Sequence, residues 1–350
     1  MSPPRPESGG PSPTTSTAAS TLALGSLWSV LIGLAAGAGC SGGGAKSASD
    51  ATADTMRAMD AGMTGGSAVI VGSFVVSLVE ETSGTPAHAA ISGAVKDRAD
   101  PITAPLVPIA TDGACTLSTP HLPFCATPCG SAACVADNTC ASYGASQDVG
   151  TATLTGVAKQ TGDPPLLLTN VNNAYLAVAD QTPAYPPFAE GDDVSVQATG
   201  GAAGPFSIHA KGIAPLVLAS SEALTIDKTK DFTVTWAAAG PGATSTIHLL
   251  MDLSHHGGLK GEIDCDAADA GTLTISSALV TQLLDLGVAG YPSFKLTRRS
   301  VGSTVTSLGV IDLELSQALT RYVQIPGLVS CTVDTDCPTG QTCQGDQRCK

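Results

Sequence analysis

From residue 73 onward apolar side chains recur at every second position. Ser73-Phe74-Val75-Val76-Ser77-Leu78-Val79 opens the series, and residues 90–95, 149–157, 194–196, 206–208 and 232–236 continue it. Residues 247–253, 263–265, 273–275, 294–296 and 311–315 follow in the same style. A period of two is that of a strand with one buried face. Short strands at this spacing, separated by Gly, Pro, Asn and Asp, predict a sandwich or barrel. Residues 277–287 break the alternation with Ser277 in front, apolar steps of three and four, and Gly287 behind. That segment predicts a short helix. Pro164-Pro165 and the prolines from 183 to 187 mark long loops.

The predicted fold is therefore all-β: immunoglobulin-like β-sandwich packing, a disulfide-rich insert, one short helix and a small cysteine-rich C-terminal tail. The expected divisions are a β-rich domain over 67–230 carrying an insert at 115–140, a β-sandwich domain over 231–330, and a module at 331–350. Periodicity leaves open whether residues 67–330 form one sandwich or two.

Upstream of the strands the chain changes character. No residue from 8 to 44 is charged, and residues 22–38 are apolar and end in small side chains, as in a signal peptide with its processing site. Leu34-Ala35-Ala36-Gly37-Ala38-Gly39-Cys40 resembles the lipobox of bacterial lipoproteins, with Gly37 where Leu is usual. On that resemblance residues 1–39 are removed and Cys40 is lipidated. Ser41, rather than Asp, implies sorting to the outer membrane. Residues 40–66 are rich in Ala, Gly, Ser, Thr, Asp and Met without strand patterning and read as a flexible tether. Two alternatives stand beside this: an ordinary cleavage site at Ala36-Gly37-Ala38, and an uncleaved anchor of roughly seventeen residues, marginal for spanning.

The eleven cysteines point to an oxidising compartment, and the absence of any Cys-x2-Cys pair argues against a zinc module. If Cys40 carries lipid, ten remain and all can pair. Cys115, Cys125, Cys129, Cys134 and Cys140 lie in a Pro-, Gly-, Ala- and Thr-rich stretch with little material for a core. Five is odd, and Cys265 shares a strand face with Ile263. One bridge from Cys265 into the insert is expected, the alternative being a buried free thiol. Cys331, Cys337, Cys343 and Cys349 should pair among themselves, with first-to-third and second-to-fourth favoured among three arrangements.

The tail run Cys331-x5-Cys337-Pro338-x-Gly340-x2-Cys343-x5-Cys349, with Asp336 before its second cysteine, resembles a cysteine-rich module of myxobacterial surface proteins. It is distantly similar to the Dickkopf-type repeat of animals. The run Pro123-Phe124-Cys125-Ala126-Thr127-Pro128-Cys129-Gly130 and Leu253-Ser254-His255-His256-Gly257-Gly258 also resemble uncharacterised outer-membrane lipoproteins of those bacteria. The resemblance implies an envelope location and no particular activity.

Candidate chemistry is sparse. His255 and His256, beside Asp252 and with Asp264 downstream, are the densest metal-capable group. Neighbouring strand residues face opposite ways, so both histidines need the loop that Gly257-Gly258 offers; a polar hairpin tip is the alternative. Asp264, Asp266 and Asp269 ahead of Gly271 suggest Ca²⁺ or a structural turn, and Asp334 with Asp336 a turn. Arg298-Arg299 reads as a solvated pair or an anion contact, and Trp236 as core. No nucleophile elbow, His-Glu-x2-His run or phosphate loop is present. With 16 basic against 30 acidic residues and a net charge of −14, the chain has no basic cluster for nucleic acid. The expectation is a non-catalytic lipid-anchored surface module without a cofactor. Its partners would be the membrane through its lipid, and an envelope protein or polysaccharide. A metal-dependent hydrolase using the His255-His256 region is the alternative.

Overall fold

The computed structural model describes residues 69–220, 222–254 and 258–350. The expected signal peptide, Cys40, the tether, His255 and His256 lie outside the described residues.

The first strands are β1 (Ile70–Val79), β2 (His88–Val95), β3 (Leu106–Asp112), β4 (Cys115–Pro120), β5 (Ala133–Ala136) and β6 (Thr139–Ala141). Next come β7 (Ala152–Thr155), β8 (Leu166–Val171), β9 (Ala174–Leu176), β10 (Asp193–Ala198), β11 (Phe206–Lys211) and β12 (Leu224–Thr225). β13 (Phe232–Thr235), β14 (Thr246–Asp252), β15 (Glu262–Ala268) and β16 (Thr272–Ile275) lead to α1 (Ser277–Leu286), then β17 (Ser293–Val305) and β18 (Val310–Gln324). One sheet of fourteen strands runs β11-β10-β7-β8-β9-β2-β1-β18-β17-β14-β15-β4-β3, with β12 added beside β18. β13 pairs with β16, and β5 with β6, in two small sheets.

The frame of the molecule is the hairpin β17–β18, paired from Ser293–Tyr322 to Val305–Val310. Apolar odd-numbered residues of β18 face inward at both ends of the strand. Ile311, Leu313 and Leu315 enter one core with Phe74, Leu154, Tyr175 and Ile208. Leu319 and Val323 enter another with Phe232, Ile247, Cys265 and Phe294. Two cores thus lie in series on one face of one hairpin.

Close backbone approach shapes the first core. Phe74 and Gly93 are cross-strand neighbours, and a Cβ on Gly93 would stand 2.3 Å from the Phe74 ring. At the far edge β11 closes on β17, where a Cβ on Gly302 would meet the His209 carbonyl oxygen at 1.7 Å. Only glycine leaves room for either contact.

Three details depart from the sequence reading. The cores do not divide at residue 230: Ile213 belongs to the first, while Leu216 and Ile226 belong to the second. Local periodicity cannot register that division, because the first core takes residues 311–315 and the second takes Cys115 and Leu117 through long-range pairing. The helix cap is Ser276 rather than Ser277, its hydroxyl accepting from the Leu279 amide at 3.4 Å. The insert is also larger than 115–140, since β3 and β4 extend the large sheet beyond β15.

Gly72 pairs with both Val95 and Ile311, so β2 ends at the far end of the hairpin. β4 meets β15 at Leu117–Ile263, a level connected through Met251 and Phe294 to Arg321. The ten positions from 311 to 321 cover about 33 Å of strand, which the chain crosses through residues 96–109 before Ala110 pairs with Leu117. The returning limb runs beside this arm, the Asp97 amide donating to the Ala145 carbonyl and the Gly144 amide to Asp100 Oδ1.

Five disulfides crosslink the body. Cys265 is joined to Cys115, and the β5–β6 hairpin carries Cys125–Cys134 and Cys129–Cys140. In the tail Cys331 bridges Cys343 and Cys337 bridges Cys349. The tail docks on the second lobe through the Gly290 amide on the Asp346 carbonyl at 2.7 Å and the Ser330 hydroxyl on the Gly290 carbonyl at 2.6 Å.

Candidate functional site

The face of the sheet opposite the cores is polar, and its densest group of titratable side chains lies across β14, β15 and β17. Ile247, Leu249 and Met251 fill the second core, so alternation turns His248 to the other side. Register sets Asp266 directly opposite His248 on β15, and Thr297 opposite it on β17. Asp264, two residues before Asp266, shares that face.

His248 Nδ1 stands 3.3 Å from Asp264 Oδ1 and 3.3 Å from Asp266 Oδ1. Arg299 donates through Nη2 to the same Asp266 oxygen at 2.6 Å. His248 is buried, Asp264 half-buried and Asp266 exposed. Burial pushes the Asp264 carboxyl above its ordinary value; the charge of Asp266 adds to the rise, while His248 and Arg299 oppose it. Burial pushes Asp266 up as well, but hydrogen bonds from His248 and Arg299 and their charges bring it below its ordinary value.

One histidine nitrogen and two carboxylates are a plausible ligand set for a transition metal. Here the Asp266 oxygen that a metal would take already accepts from Arg299. The two carboxylates, the Arg299 guanidinium and the His248 ring thus form one connected polar network.

The sequence candidates are dispersed. Asp264 belongs to the network, and Asp252 Oδ1 accepts from the Ser254 amide at 2.7 Å and the Ser254 hydroxyl at 3.1 Å. Asp269 faces away from Asp264 and Asp266, which rules out a shared Ca²⁺ loop. It pairs instead with Arg298, whose Nε and Nη2 donate to its two oxygens at 2.6 and 2.9 Å. Arg298 is therefore not a solvated strand-end residue; its side chain is 1% exposed. Its remaining hydrogens go to the carbonyls of Ala214, Pro215 and Ala237. Trp236 is core, and its Nε1 donates to Asp269 Oδ1 at 2.7 Å. In the tail, Asp336 accepts from the Thr332 and Val333 amides, which hold its carboxyl below its ordinary value, and Asp334 accepts from the Cys343 amide. Both fix turns. His248 escaped the sequence reading because it becomes conspicuous only once cross-strand register sets it against Asp266.

The ion network carries an acid signature. An acid whose folded value lies below its unfolded one stabilises the fold above the unfolded value, and loses that contribution as pH falls through the folded value. Asp266 is such a group, with an ordinary value of 3.8. Asp264 has the opposite sign, favouring the fold below 3.8 and losing that contribution as pH rises through its raised value. Arg299→Met removes a donor and a positive charge, so both carboxyls should move upward. In urea unfolding between about pH 2 and 6, the acid loss of stability should begin at higher pH than in the wild type. Superimposable profiles would mean Arg299 does not hold Asp266.

No family model matches the chain, and no curated protein matches it. Among solved structures it resembles the FN1–FN3 domains of chicken CNTN1, at 10% identity over 67% of this chain and 71% of that one. The TM-score of 0.16 is too low for that likeness to inform the site.

Proposed function

We propose that the chain is a non-catalytic, lipid-anchored surface module of the outer membrane. It holds a crosslinked two-lobed β body toward an envelope protein or polysaccharide. Cysteine closure is the observation that carries this. Ten of the eleven cysteines are consumed by five bridges within the body, so the remaining one is Cys40 of the lipobox-like segment. No body thiol is left to serve as nucleophile or metal ligand. A β-sandwich body with its densest charged group locked in an ion network suits a binding or structural module.

Cys40→Ser tests the anchor. The variant should lose fatty-acid labelling and move from the detergent phase to the aqueous phase. Unchanged detergent partitioning would replace the lipid with an apolar anchor. A stoichiometric transition metal in untagged protein, lost in His255→Ala/His256→Ala, would instead favour the hydrolase alternative.

A further inference from the structure

Two acidic side chains are buried on the polar face of the first lobe, away from the network around His248. Asp312 and Glu314 lie two residues apart on β18, facing away from Ile311, Leu313 and Leu315, and are 1% and 5% exposed. Both oxygens of Asp312 and Oε2 of Glu314 are buried without a hydrogen-bond partner. Among the described residues no Lys, Arg or His makes an ion pair with either one. Burying uncompensated carboxylate charge is among the costliest arrangements a fold can hold.

A third group points the same way independently. Ser73 on β1 is the in-register neighbour of Asp312, is 4% exposed, and its hydroxyl oxygen is also buried and unpartnered. On the other flank Ser303 of β17 is in register with Asp312. Its hydroxyl is close enough to hold the Asp312 acidity down without forming a full hydrogen bond. Adjacent strands lie about 4.8 Å apart, so the row Ser73, Asp312, Ser303 brings hard oxygens from three strands together beside Glu314.

We propose that Asp312, Glu314 and Ser73, with Ser303 at the rim, form a binding site for a hard divalent cation, Ca²⁺ in the first instance. Carboxylate and hydroxyl oxygens without nitrogen or sulfur select hard cations over transition metals. The cation supplies the charge that no described side chain gives, and water completes its six to eight ligands. The competing occupant is a proton on Asp312. Burial and the neighbouring Glu314 push that carboxyl above its ordinary value, with Ser303 opposing them. Calcium dependence and acid dependence separate the two occupants.

The test uses the full chain. Equilibrium dialysis against CaCl2 at pH 7 should count one Ca²⁺ per chain. Calcium at about 100 times its dissociation constant should raise the melting midpoint over that in EDTA by roughly 5 °C. Asp312→Asn/Glu314→Gln should bind none and melt at one temperature in both solutions. Ser73→Ala, which keeps both charges, should fold and bind about tenfold more weakly; it carries the test if the double variant does not fold. An absence of calcium binding in the wild type, or binding that survives in the double variant, overturns the proposal. So does a midpoint that follows pH and ignores calcium.

Discussion

Asp269→Ala should lower stability by about 3–5 kcal/mol, the usual cost of stripping one partner from a buried ion pair. Arg298 and Asp269 are 1% and 2% exposed, so water cannot replace what is lost. The carboxylate serves four donors: Arg298 Nε and Nη2, Trp236 Nε1 and the Ser245 hydroxyl at 2.8 Å. Through Nη1 the same guanidinium holds the Ala214 and Pro215 carbonyls, in the stretch where the chain passes from one core to the other. Gln317, in register with Arg298, accepts from the Leu216 amide at 2.6 Å. The pair is a polar seam between two apolar cores. Arg298→Met/Asp269→Leu should regain part of the loss, because it leaves no bare charge. Full recovery is not expected, since Trp236, Ser245 and three carbonyls would remain unpaired. Urea unfolding reads both variants. A loss below about 1 kcal/mol in the single variant would mean the charge finds water.

Cys265→Ala should lower stability by about 2–5 kcal/mol. The bridge to Cys115 spans 150 residues, and chain entropy alone assigns a loop of that length about 5 kcal/mol. Cys125–Cys134 and Cys129–Cys140 lie inside that loop and already restrict it, which brings the expectation down. The variant also frees Cys115, which is 1% exposed. Alkylation should therefore label one new thiol, and rapidly only after denaturation. If the wild-type protein, denatured without reductant, already shows a free Cys265, the crosslink does not exist.

The parts of this fold governed by local chemistry could be read from the chain. Ile263 and Cys265 share a face because alternation is a local property, and odd cysteine parity in the insert demanded an outside partner. The helix was visible from its apolar spacing and Gly287, within one residue at its cap. What escaped was set by pairing between distant strands. β17 and β18 were seen only as residues 294–296 and 311–315, because Arg298 and Gln317 interrupt the apolar face while sitting buried within it. β3 carries exposed Val107 and Ile109, and β3 and β4 each hold a proline, Pro108 and Pro120, a poor signature for a strand. Arg298 and Asp269 each looked like surface chemistry, and only the folded sheet brings them together across 29 residues. His248 was hidden for the same reason.

The placement of β1 determines how the body answers a pull. β1 is flanked on both sides, parallel to β18 from Ile70–Val310 to Ser77–Ser316 and antiparallel to β2 from Gly72–Val95 to Val79–His88. Tension on the chain ahead of Ile70 runs along the strand axis, at right angles to most of those hydrogen bonds. They are loaded together in shear, instead of being peeled one after another from an edge. For β1 to slide, Phe74 must also leave its packing against Tyr175 and Phe206, at ring separations of 5.7 and 6.2 Å. A pull applied ahead of Ile70 would therefore meet β1 held in shear between β18 and β2.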